Sequence, residues 1–98
     1  MAEYATNLLY AQTKNSNDLD KVEQFLDEYF CDCYINRIED CLECEFFSKW
    51  DYPEAVIEKM LSSLESRKEI YIRVLTHELS SEYVSFRVFS KGEWDIRY

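Results

Sequence analysis

Four cysteines stand close together, as Cys31-x-Cys33 and Cys41-x-x-Cys44, and thiols in paired spacing are the residues that hold zinc. A structural zinc site needs four such ligands converging tetrahedrally, each sulfur about 2.3 Å from the metal. Seven residues separate the two pairs, fewer than in a common zinc ribbon. The competing reading makes these thiols small hydrophobes of a core, a frequent fate of free cysteine; disulfide or redox use is the third. His77 is the only histidine, and Ser80, Ser81 and Glu82 near it form no triad pattern. Nor is there a phosphate-binding glycine loop, a kinase set or a metal-hydrolase helix. The expectation is buried thiols, a solvated loop histidine, no metal, no cofactor and no enzymatic chemistry.

Carboxylates supply the other chemistry. Between residues 18 and 45 the chain carries ten acids against Lys21 and Arg37, a net of −8 out of −9 for the whole chain. That balance counts against a phosphate-tracking protein, which needs a basic patch, and favours a positively charged partner. The acids fall into two groups. Asp20, Glu23, Asp27 and Glu28 recur at near-helical spacing, while Asp32, Glu39, Asp40, Glu43 and Glu45 belong to a hairpin. Duplex DNA presents one charge per ~1.7 Å of axis, so rows of carboxylates on one surface would imitate it. A solvated helix face is the plainer reading of the first group. Like charges at i,i+4, such as Glu23 and Asp27, cost about 0.2–0.5 kcal/mol per pair.

These side chains need elements to position them. Tyr4–Gln12 reads as a strand, broken by Lys14-Asn15-Ser16-Asn17. Ser16 or Asn17 is expected to cap a helix whose positive end suits Asp18 and Asp20, with Leu19, Val22, Phe25, Leu26, Tyr29 and Phe30 as its apolar stripe. Residues 31–38 and 41–50 read as strands joined by a tight turn at Glu39-Asp40. Pairing Ile38 with Cys41 collects Cys31, Cys33, Ile35, Leu42, Cys44 and Phe46 on one face and Asp32, Tyr34, Asn36, Glu43 and Glu45 on the other. Arg37, Ile38, Cys41 and Phe47 fit that separation poorly. Tyr52-Pro53, with Asp51 as cap, opens a second helix buried through Val56, Ile57, Met60, Leu61 and Leu64 and ended by Ser66-Arg67-Lys68. Residues 69–76 and 83–89 alternate as strands around a polar loop from His77 to Ser81. Residues 94–98 add a short last strand after a turn at Lys91-Gly92.

Ninety-eight residues, 47% of them apolar, with one Gly and one Pro, make one domain of mostly regular elements. No run approaches the ~18 apolar residues of a membrane span, and no basic leader precedes an apolar core. The expected setting is therefore cytoplasmic, with thiols reduced. The order β-α-β-β-α-β, followed by one or two further strands, is the split βαβ or ferredoxin-like plan of the α+β class. Both helices are then expected on one face of a mainly antiparallel sheet.

Ala5-Thr6-Asn7-Leu8, Phe46-Phe47-Ser48-Lys49-Trp50 running into Tyr52-Pro53 and Val56-Ile57, and later Glu82-Tyr83 resemble a family of ferredoxin-like proteins encoded by bacteriophages and mobile elements. That family has no established activity, so the resemblance implies a phage-type protein of the host cytoplasm and assigns no catalytic residues. The function expected of a small acidic protein of this type is non-enzymatic inhibition of a host nucleic-acid-handling defence complex, of anti-CRISPR or anti-restriction type. Its basic partner would meet Asp20, Glu23, Asp27, Glu28, Asp32, Glu39, Asp40, Glu43 and Glu45, with neither nucleic acid nor membrane bound directly. Two other readings use the sheet face away from the helices, expected to show Tyr34, Glu43, Glu45, Tyr71, Arg73, Tyr83, Arg87 and Phe89. Those aromatics suit homodimerisation. They also suit single-stranded RNA stacked on an open sheet, although Glu43 and Glu45 would repel phosphates.

Overall fold

A computed structural model describes residues 4–30, 33–49, 52–79 and 82–97. Expectations that fall on Cys31, Asp32, Trp50, Asp51, Ser80, Ser81 and Tyr98 lie outside the described residues. The elements are β1 (Tyr4–Gln12), α1 (Ser16–Tyr29), β2 (Tyr34–Ile38), β3 (Cys41–Lys49), α2 (Glu54–Ser62), β4 (Tyr71–Glu78), β5 (Tyr83–Ser90) and β6 (Glu93–Arg97). The fold is α+β: one antiparallel six-stranded sheet in the order β2-β3-β1-β4-β5-β6, with two helices.

Strand residues alternate between faces, and one face turns to the helices. There Leu9, Ala11, Leu42, Cys44, Phe46, Ile72, Val74 and Phe89 bury against Leu19, Val22 and Leu26 of α1 and Ile57, Met60 and Leu61 of α2. Each large apolar side chain so buried stabilises the fold by about 1.5–3 kcal/mol. A polar rung crosses this layer: Asn7 Nδ2 donates to Ser48 Oγ (2.8 Å) and Thr76 Oγ1 donates to Asn7 Oδ1 (2.6 Å), all three residues being buried. The opposite face leaves Leu8, Phe47 and Val84 exposed.

Four expectations are corrected by this architecture. Asn15, not Ser16 or Asn17, caps α1, its Oδ1 accepting from the Asp18 N–H at 3.2 Å. The second helix stops at Ser62, short of 66–68, because the chain leaves the helical path and gives the N–H groups of Glu65 and Ser66 to the buried Asp18 carboxylate (2.9 and 2.8 Å). β4 continues through His77 and Glu78, so His77 is a half-buried strand residue opposite Thr6 and Val84, not a loop histidine.

The fourth correction concerns β5, whose faces are reversed. Glu78 pairs with Tyr83 and Thr76 with Ser85, which sends Ser85, Arg87 and Phe89 to the helix side. Phe89 packs on Trp94 (5.1 Å between ring centres), and the Arg87 guanidinium lies 4.1 Å over the Tyr52 ring. The wholly apolar set Val84, Phe86 and Val88 lies on the open face, so the pairing with β4 and not the hydrophobic alternation decides which side of β5 meets the helices.

Candidate partner-binding edge

The sheet ends at β2, and seven of the nine candidate acids stand around that edge. On the helix side Arg37 reaches α1, where its Nη1 donates to both Asp20 and Glu23 (3.3 Å to the latter) and its Nη2 to the Ser16 carbonyl at 3.4 Å. The bond to Asp20, reinforced by Glu23, raises the guanidinium pKa and keeps the charge fixed. Asp20, Glu23, Gln24 and Asp27 of α1 with Ile35 and Arg37 of β2 line a cleft of about 430 Å³. Three carboxylates against one guanidinium leave it with a formal charge of −2.

Glu28 does not join that row. It lies on the flank of α1 toward Lys59 of α2, whose Nζ donates to the Tyr29 hydroxyl at 3.0 Å. Lys21, which the sequence offers as the nearest cation to the acid row, donates instead to the Ser63 carbonyl at 2.9 Å. Glu43 and Glu45 are exposed on the other side of the sheet, away from the helices, and Glu39 and Asp40 form the turn between β2 and β3. Asp32 is outside the described residues.

The hairpin has the expected register, Ile38 opposite Cys41, Arg37 opposite Leu42 and Ile35 opposite Cys44. Two of its four misfits have physical reasons. Arg37 is on the apolar face because α1 supplies its carboxylates, and Cys41 is on the open face because its thiol shares a 3.2 Å hydrogen bond with the Tyr10 hydroxyl. That bond is the main cause that raises the Tyr10 pKa. Ile38 and Phe47 are exposed.

Cys33 and Cys44 adjoin on the helix side while Cys41 points to the other. Burial, helped by the neighbouring Cys33, pushes the Cys44 thiol up to about 12, so it stays protonated and unreactive near neutral pH. Among the described residues no three His, Cys, Asp or Glu side chains are placed to hold a metal ion. No helix among them is long and apolar enough to cross a membrane.

The open face has an apolar strip with Glu45 at one end and a charged row along one side. One cross-strand row reads Tyr34, Glu45, Leu8, Leu75, Phe86; the next reads Asn36, Glu43, Tyr10, Arg73, Val88, Asp95. The Arg73 guanidinium lies 4.4 Å over the Tyr10 ring, with Tyr71 edge-on to Tyr10 at 6.2 Å. Of the residues expected here, Tyr34, Glu43, Glu45, Tyr71 and Arg73 are present. Tyr83, Arg87 and Phe89 lie on the helix side, and Val84, Phe86 and Val88 take their place. No protein-family model, no curated protein and no solved structure matches the chain.

Proposed function

We propose that this chain is a non-enzymatic binding protein of the kind bacteriophages and mobile elements encode, which inhibits a host nucleic-acid-handling defence complex by occupying a basic surface. The observation that carries this reading is the placement of carboxylates on both sides of one sheet edge. Asp20, Glu23 and Asp27 stand on the helix side, Glu43 and Glu45 on the other, and Glu39 and Asp40 at the tip. Charges gathered within about a Debye length (~8 Å at physiological salt) attract a partner jointly and speed its association. Because the acids wrap an edge instead of lying in one plane, the fitting partner is a basic groove that receives the edge, not a surface that reads a flat duplex replica. We also read the first four strands as the split βαβ plan. What supports that is β1 lying between β3 and β4 with β2 outside β3, so that α1 and α2 each cross one intervening strand.

Capture from bacterial lysate tests the proposal. A nucleic-acid-binding protein should be held at low salt, released at high salt, and lost when Asp27→Lys is combined with Glu45→Lys. Failure to capture any basic protein at low salt refutes it.

A second reading, homodimerisation through the open face, is favoured by that face's exposed apolar residues. Leu8, Phe47 and Val84 are exposed there beside Leu75 and Phe86, and a second copy laid on the same face would cover them. Light scattering should then show a dimer that Phe86→Glu converts to a monomer. A wild-type monomer at high concentration removes this reading.

A further inference from the structure

We infer that β2 receives an added strand from the partner, and that this strand alternates basic with apolar side chains. The inference rests on the acidic-edge reading above and specifies how the partner sits there. β2 and β3 are joined by a two-residue turn, so the flanking pair Ile38/Cys41 exchanges hydrogen bonds, as do Asn36/Glu43 and Tyr34/Glu45. Ile35 and Arg37 therefore turn their backbone N–H and C=O groups outward. Among the described residues no backbone group outside the sheet meets them.

Sheets normally blunt such an edge with lysine, proline, a bulge or a covering segment. Tyr34-Ile35-Asn36-Arg37-Ile38 contains neither lysine nor proline, and its single charge is drawn back onto Asp20 and Glu23. The opposite edge differs: Glu93, Asp95 and Arg97 make most of the short β6 charged.

The two sides of the β2 edge specify what the incoming strand carries. The residue laid opposite Ile35 points into the cleft walled by Asp20, Glu23 and Asp27, where a lysine or arginine supplies the charge that Arg37 leaves unmet. Its neighbours in the strand point to the other face, beside Tyr34 and Ile38, which are 73% and 63% exposed and gain cover from apolar side chains. A second copy of this chain is the wrong occupant, because pairing β2 with β2 brings two acidic cleft walls together. Main-chain bonds would give such a complex its affinity and the alternate side chains its specificity.

The probe is a short fluorescein-labelled peptide alternating lysine with valine, titrated into the unmodified protein at low salt and followed by anisotropy. Two further versions carry N-methyl groups on one or the other alternate set of residues. One should bind like the parent; the other, whose blocked N–H groups face β2, should bind about tenfold more weakly or worse. Ile35→Pro, which removes an outward N–H without touching the ladder to β3, should abolish binding with the circular dichroism spectrum unchanged. Equal affinity of the two methylated peptides, strong or weak, overturns strand addition, as does a parent peptide that does not bind. If Asp27→Lys nevertheless weakens lysate capture in either case, the acidic-edge reading survives without it.

Discussion

Asp18 offers the sharpest test of how this fold is held. Its side chain is fully buried, and the carboxylate accepts from the N–H groups of Glu65 and Ser66, forty-seven and forty-eight residues away. Asp18→Ala removes both bonds and leaves two donors facing an apolar gap. Hydrogen bonds to a charged group contribute about 1.5–3 kcal/mol each, and because Glu65 and Ser66 keep some contact with water the lower figure applies. Loss of a carboxylate at the positive end of α1 adds about 0.3–1 kcal/mol. The expected destabilisation is about 3–4 kcal/mol, out of roughly 5–15 kcal/mol for a whole domain. Urea unfolding should show a lower midpoint with an unchanged slope, and hydrogen exchange should quicken at the Glu65 and Ser66 amides. Asp18→Asn should be nearly as harmful, since its amide sets an N–H against one of the two donors. A change below about 1 kcal/mol in Asp18→Ala would refute the latch.

Three further outcomes follow from other contacts. The Cys44 thiol is raised from its ordinary 9.0 to about 12, so its share of the stability is complete below pH 9 and is lost as the pH climbs through 12; Cys44→Ala should flatten that alkaline decline in a pH series of urea melts. Arg37→Ala should lower stability by no more than about 1 kcal/mol, because its ion pairs are partly exposed, yet should strengthen binding of the lysine–valine peptide several-fold by making the cleft more negative. Trp94 donates to Glu58 at 2.9 Å while packing at a tilt on Phe89, so Trp94→Phe should keep the packing, lose about 1 kcal/mol, and lower the melting temperature by a few degrees.

The hairpin was legible in the sequence because its two faces differ so sharply: apolar Ile35, Leu42 and Cys44 against acidic Glu43 and Glu45 admit one alignment. The apolar stripe of α1 was legible for the same reason. β5 was not, because its wholly apolar set, Val84, Phe86 and Val88, is on the open face while Ser85 and Arg87 go to the helix side. The cap was expected one or two residues late, at Ser16 or Asn17, because both have capping power similar to that of Asn15. Asp18 was legible as an acid at the positive end of α1 but not as a buried one, because its partners lie far along the chain and nothing local marks a carboxylate for burial. The acid row divided for a related reason: whether Glu28 faces β2 or α2 depends on where α2 packs. The poor fit of Arg37 was the one visible sign that the acids and the hairpin meet.

The buried rung of Ser48, Asn7 and Thr76 bears on how the sheet assembles. Sliding β1 by two residues against β3 or β4 returns every apolar side chain to the same face, so oiliness alone scarcely forbids the shift. Such a slip would strand the Asn7 amide away from both hydroxyls, at about 1–3 kcal/mol for each polar group left unpaired. The three residues thus act as an alignment key across the centre of the sheet. Among several pairings that water-avoidance treats alike, they single out the one in which the edge strand, its cleft and its acids come out in the right places.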